Sequence, residues 1–100
     1  MYMLMTYDVE ARRTEKFKKL LRRYLVHEQF SVFSGDITEA NAIQLRRKLS
    51  QLIIPGDRVT EVTAANRQNV EIVQFSKEEP GKGEMQSKKI NTHKVDFSVL

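Results

Sequence analysis

The first eight residues constrain this chain more than any other stretch. Met1-Tyr2-Met3-Leu4-Met5-Thr6-Tyr7 is an almost unbroken apolar and aromatic run that stops abruptly at Asp8. A run this short, with strand formers at its end, reads as a strand buried on both faces rather than as a helix. Such a strand belongs in the middle of a sheet, and it puts Asp8 at the carboxyl end, where open α/β sheets present chemistry to solvent.

From about Ala11 the period changes. Phe17, Leu20, Leu21, Tyr24 and Leu25 fall at the spacing of one buried helical stripe. The other positions carry Arg12, Arg13, Lys16, Lys18, Lys19, Arg22 and Arg23 against a lone Glu15. Like charges at helical spacing repel by a few tenths of a kcal/mol per pair, about the size of a favourable pair, so the cluster is not there for helix stability. Two readings stay open for it, a solvated face or a phosphate-binding one.

After Val26-His27-Glu28-Gln29, the stretch Phe30-Ser31-Val32-Phe33-Ser34-Gly35-Asp36 alternates as extended chain, one strand or two, with Gly35 offering a bulge or turn. Thr38 is placed to cap a second helix running to about Ile53, with Ala42, Leu45, Leu49, Leu52 and Ile53 facing inward. Pro55-Gly56-Asp57 ends it in a turn. Residues 58–64 and 70–75 read as strands, the second more clearly. Residues 77–89 hold a Pro-Gly, a Gly-Lys-Gly and four lysines, which suggests a mobile arm, and Val95, Phe97 and Val99 alternate as a terminal strand.

This order implies an α+β, ferredoxin-like βαββαβ sandwich with both helices on one face of an antiparallel sheet, plus an extra C-terminal strand and a basic tail. Residues 1–76 would form that domain. Residues 77–100 would be a flexible arm and strand that join it or pair with a partner. One hundred residues make one domain, small enough to gain from dimerising. The 17 basic against 13 acidic residues, with a net charge of +4, favour a polyanionic partner such as nucleic acid. With no cysteine there is no disulfide, no Cys-ligated zinc and no thiol nucleophile, which suits a reducing cytoplasm. No stretch has the length of a membrane span, and the expectation is a cytoplasmic protein with no membrane partner.

Tyr7-Asp8 closing an apolar first strand, the basic helix after it, and Gln29-Phe30-Ser31-Val32-Phe33-Ser34-Gly35-Asp36-Ile37-Thr38 together resemble the small CRISPR-associated endoribonuclease family over residues 1 to about 64. The resemblance implies a homodimer in which two copies of Asp8 face each other and hold a divalent metal, Mg²⁺ or Mn²⁺. It implies metal-dependent cleavage of RNA or DNA and assistance to the CRISPR integrase in spacer acquisition. In some members it implies a structural role in holding duplex DNA without cutting it. Asp8 matches the family's metal-binding aspartate, Ser31 and Phe33 its extended segment, and Arg12 or Arg13 its basic residues near the site.

Elementary chemistry is compatible with this. Mg²⁺ takes oxygen ligands and keeps several waters, so one carboxylate from each of two subunits plus phosphate oxygens suffice for it. Taken alone, Asp8 reads first as a helix N-cap after a strand, a very common use of Asp, and it is the resemblance that reverses this preference. Tyr7, Ser31 and Phe33 would support the site, and Arg12, Arg13, Lys16, Lys19, Arg22 and Arg23 would meet the nucleic acid. Ser31 alternatively sits between strands, and Phe33 belongs to the core or the dimer interface. His27 and His93 are isolated and are assigned no role. A third reading is an unrelated ferredoxin-like nucleic-acid or regulatory module.

Overall fold

The computed structural model describes residues 1–76 and 85–91. β1 (Tyr2–Asp8) lies inside a four-stranded antiparallel sheet with β2 (Val26–Gln29), β3 (Val32–Asp36) and β4 (Arg58–Ala64), in the order β2-β3-β1-β4. α1 (Thr14–Arg22) links β1 to β2, and α2 (Glu39–Leu52) links β3 to β4. This is the ferredoxin-like βαββαβ arrangement.

Alternation along β1 sorts its side chains between two layers. Met3, Met5 and Tyr7 face the helices and join Phe17, Leu21, Leu25, Phe33, Ile37, Ala42, Leu45 and Leu49 in one buried cluster. Tyr2, Leu4, Thr6 and Asp8 face the other way. Directly paired residues share a face, so Arg58, Thr60, Val62 and Ala64 of β4 and Val32, Ser34 and Asp36 of β3 lie on this outer surface with them.

The first helix departs from the expected start at Ala11. Residues Ala11–Arg13 form a 3-10 turn, closed by the Arg13 N–H donating to Glu10 O at 2.8 Å, and the α-helix proper begins at Thr14. At its far end the Tyr24 and Leu25 amides both return to Leu21 O, and this tightened turn drops Leu25 into the core before β2 starts. Thr38 caps α2 as expected, its hydroxyl accepting from the Asn41 amide at 3.1 Å.

The extended segment around Gly35 supplies two strands, and the break is not at the glycine. The chain reverses at Phe30, whose φ of 33° lies in the left-handed region, and the register between β2 and β3 slips between His27 and Gln29. Gly35 sits inside β3, with only ordinary packing distances to Leu25 and Val26. Gly56, at φ 96°, makes the expected turn after α2.

Beyond β4 the chain folds back across the outer face of its own sheet. A short turn at Arg67–Asn69 brings Arg67 to 3.6 Å from Asp36. Val70 and Ile72 then lie over Tyr2, Leu4, Val62 and Ala64, around a cavity of about 170 Å³. Asn91 ties this crossing segment down: its Oδ1 accepts from the Ile72 amide at 3.2 Å, and its Nδ2 donates to Arg67 O at 2.9 Å and to Val70 O. β5 (Val73–Ser76) and β6 (Gln86–Lys89) form a separate antiparallel pair.

Residues 86–91 therefore do not behave as the mobile arm expected from composition. β6 is held through backbone pairing, which needs no apolar side chains, and Ile90 and Asn91 are buried against the body. The strand expected at 95–99 and most of the expected arm lie outside the described residues.

Candidate functional site

Asp8 is exposed at the end of β1, opposite Arg58. Pairing with β3 stops at Thr6, so among the described residues β4 is the only strand neighbour that Asp8 has. The carboxylate makes no side-chain hydrogen bond or ion pair among the described residues. It also caps no helix. The residue before the 3-10 turn is Glu10, the residue before α1 is Arg13, and neither cap is closed by a side chain. The N-cap reading of Asp8 is thereby set aside, and an unpaired oxygen donor is left facing solvent.

The surface around it is polar. Thr6 and Ser31 share a hydrogen bond between their hydroxyls at 3.2 Å, and Thr60 lies directly across from Thr6. Ser31 thus bridges β1 to the β2–β3 turn, on the same side of the sheet as Asp8. Arg58 is the cation nearest in register to Asp8, and it was not picked out in the sequence because its strand alternates poorly.

The other expected site residues divide. Tyr7 and Phe33 are core, with ring centroids 6.2 Å apart; Tyr7 also packs on Phe17 at 5.3 Å and Phe33 stacks on His27 at 4.6 Å. Burial pushes the Tyr7 hydroxyl above the ordinary tyrosine range, with Glu15 adding to the shift and Arg22 opposing it. These rings support the site only by filling the layer beneath it.

Lys16, Lys19 and Arg22 are exposed on α1 and Arg23 at its C-terminal cap, and this helix packs on the opposite face of the sheet from Asp8. Arg12 is exposed and paired with Glu10 at 2.8 Å. The structure therefore places the cationic helix surface and the sheet corner bearing Asp8 and Arg58 as separate features within one chain.

Arg13 does not belong to that cationic surface. Its guanidinium is buried, donating to Asp57 Oδ2 and, at 2.7 Å, to Leu52 O, and it lies over the Phe17 ring at 5.4 Å. The Arg13 hydrogen bond, followed by one from the Ile54 amide, holds the Asp57 carboxyl below the ordinary carboxylate range. The signal was present in the sequence: extending the stripe Phe17, Leu21, Leu25 back by one helical step lands on Arg13, so this cation occupies the inward face. Midway along β4, Glu61 is likewise lowered, chiefly by the hydrogen bonds from Arg46 at 2.8 and 2.9 Å.

The family model described as CRISPR associated protein Cas2 matches residues 1–72. The chain belongs to this family. It is 37% identical over 59 residues to the CRISPR-associated endoribonuclease Cas2 of Haloferax volcanii, a match spanning 59% of this chain and 69% of that protein. Other curated Cas2 relatives are matched over 56 to 62% of their own length. A crystal structure of Cas2 superposes with a TM-score of 0.60 at 34% identity, covering 62% of this chain and 71% of that one. Streptococcus pyogenes Cas2 at pH 6.5 also gives 0.60, at 28% identity, covering 69% and 93%. The shared fold agrees with the strand order and helix placement described above.

The donor chemistry at Asp8 suits a hard divalent cation, a class that includes Mg²⁺ and Mn²⁺. Asp8 offers exposed carboxylate oxygens, and no group of three or more His, Cys, Asp or Glu side chains is assembled among the described residues. One chain alone thus supplies a single anionic ligand, which suits a hard ion that retains most of its water. No helix among the described residues is long and apolar enough to cross a membrane.

Proposed function

We propose that this Cas2-family protein is a homodimeric, Mg²⁺-dependent endonuclease that acts on RNA or DNA phosphodiesters and assists the CRISPR integrase in spacer acquisition. The observation that carries this reading is the unpartnered Asp8 carboxylate at the open end of β1. Val62 and Val26, 48% and 46% exposed, and the half-buried Val32 lie on the same sheet face and favour a second copy packing there. Such packing is the means by which two Asp8 side chains would share one ion.

Mg²⁺ or Mn²⁺, when bound, activates water and neutralises charge on a phosphodiester. The chain's own residues do the rest. Asp8 holds the ion, Arg58 across the strand pair counters the negative charge of a phosphate, and the Thr6 and Ser31 hydroxyls are hydrogen-bond donors beside it. The exposed cations of α1 draw in the polyanion from the other side of the sheet.

The test incubates the purified protein with labelled RNA, single-stranded DNA and duplex DNA, with Mg²⁺ or with chelator, beside the Asp8→Ala variant. Cleavage that needs both the metal and Asp8, with nucleic-acid retention unchanged in the variant, supports the reading. Cleavage unaffected by Asp8→Ala refutes it. A single carboxylate per chain also favours a second reading, a non-catalytic scaffold that holds duplex DNA for the integrase. Spacer acquisition that is unchanged by Asp8→Ala and lost on neutralising Lys16, Lys19, Arg22 and Arg23 selects the scaffold.

A further inference from the structure

We propose that Arg13 and Asp57 form a positioning pair that fixes the Asp8 carboxylate by locking the exit of β1 to the entrance of β4. The inference rests on the reading of Asp8 as the metal-holding side chain and assigns a new role to two residues that do not touch the ion.

The geometry is a closed circuit. From Asp8 the chain runs through residues 9–13 to Arg13, whose guanidinium reaches Asp57. Asp57 directly precedes Arg58, and Arg58 pairs in register with Asp8. The ion pair is therefore the link that completes a ring containing Asp8. Three further contacts stiffen it. Arg13 donates to Leu52 O at the end of α2, the Arg13 amide closes the 3-10 turn on Glu10 O, and Asp57 Oδ2 also accepts from the Ile54 amide at 3.0 Å.

Energetics favour placement over bulk stability as the reason for this pair. The side chains of Arg13 and Asp57 are only 11% and 4% exposed, so both charges are largely taken out of water. A buried pair of this kind is often no more stabilising than well-packed apolar residues of the same volume. What it adds is direction: the planar fork of arginine fits Asp57 and the Leu52 carbonyl at once, whereas a lysine ammonium serves one acceptor well. Because the guanidinium is already committed, Arg13 is not one of the phosphate contacts expected from sequence.

The test uses the full-length protein and two variants, Asp57→Asn and Arg13→Lys. Asp57→Asn keeps an oxygen for the Ile54 amide and removes the charge. The first readout is hydrogen exchange of the residue 13 and residue 57 amides, each hydrogen-bonded in the native fold. Positioning requires both to exchange about tenfold faster, while protection of the α2 amides of Leu45 and Leu49 stays unchanged. The second readout is the Mg²⁺ concentration for half-maximal cleavage, which should rise by about tenfold, as for other residues that orient a metal ligand, with nucleic-acid retention constant. Arg13→Lys should show a smaller change in both.

Unchanged amide exchange in Asp57→Asn, with the α2 protection intact, overturns the proposal. So does tighter nucleic-acid retention by that variant, since it would mean that freeing Arg13 creates a phosphate contact. If Asp57→Asn loses the α2 protection as well, Arg13→Lys decides: faster exchange at residues 13 and 57 with the α2 amides still protected supports the pair, and unchanged exchange overturns it. A wild-type protein whose cleavage ignores Mg²⁺ refutes the proposed function, and the exchange measurement still decides the pair.

Discussion

Replacing Asp8 with Asn should separate activity from stability almost completely. The side chain is exposed and has no hydrogen-bond partner among the described residues, so its contribution to folding is limited to its cross-strand interaction with Arg58. Opposite-charge pairs across a strand contribute roughly 0.2–1 kcal/mol. For a domain of this size 1 kcal/mol moves Tm by roughly 4–8 °C, so the variant should melt within about 8 °C of the parent. The core below offers the contrast: Phe33 is fully buried between Tyr7 and His27, and Phe33→Ala should cost about 3–5 kcal/mol. Removing residues that merely orient a metal ligand costs about 10–100-fold in affinity or activity, so losing the ligand itself should cost more than about 100-fold in Mg²⁺-dependent cleavage. Thermal melts followed by circular dichroism, run beside cleavage of a labelled oligonucleotide under Mg²⁺ titration, measure both quantities on one preparation. An Asp8→Asn protein that keeps a tenth or more of the wild-type rate, or one that melts as early as Phe33→Ala, refutes the reasoning.

Other outcomes follow from the same geometry. Asp57 and Glu61 are held below the ordinary carboxylate range, so the folded state binds fewer protons than the unfolded one. Their stabilisation is present above about pH 4 and is lost as pH falls below it, and Glu61→Gln should shallow that acid loss in a denaturant series. Burial, the largest cause, raises Tyr2, with the nearby Ser34 hydroxyl opposing the shift, and the buried Tyr2 hydroxyl has no hydrogen-bond partner among the described residues. The contribution of Tyr2 is then complete below about pH 10 and lost above it, and Tyr2→Phe should flatten the alkaline loss and stabilise by up to about 1 kcal/mol at neutral pH. If Lys19 and Arg22 each meet a phosphate, the double variant Lys19→Gln, Arg22→Gln should reduce the slope of log affinity against log salt for duplex DNA by about 1.8. An unchanged slope assigns those two residues to a solvated face.

Much of the fold was legible because its signals are local. The apolar run ending in Asp8, the stripe from Phe17 to Leu25 and the Thr38 cap each report on neighbouring residues, and a strand and two helices formed there, the first helix starting three residues later than expected behind a 3-10 turn. The reversal at Phe30 was less legible, because a left-handed phenylalanine is a tertiary compromise and Gly35 was the better turn former by composition. β6 escaped notice because backbone pairing asks nothing of the side chains in Gln86–Lys89. Asp8 was singled out from its place at a strand end, and the structure leaves it exposed there. Arg13 was counted with the other cations, since charge alone does not tell which face of a helix a residue occupies. Its partner Asp57 is remote in sequence and read only as a turn residue. Arg58 gained meaning from register, which a single strand does not encode.

The segment that crosses from Arg67 to Ile72 divides the outer surface of the sheet into unequal halves. The end bearing Tyr2 is roofed over by the chain itself, and no described residue covers the end bearing Asp8. Were two copies to pack face to face as proposed, the crossing segment would be a step on the Tyr2 side, and the arrangements it leaves open among the described residues are those that bring the two strand ends together.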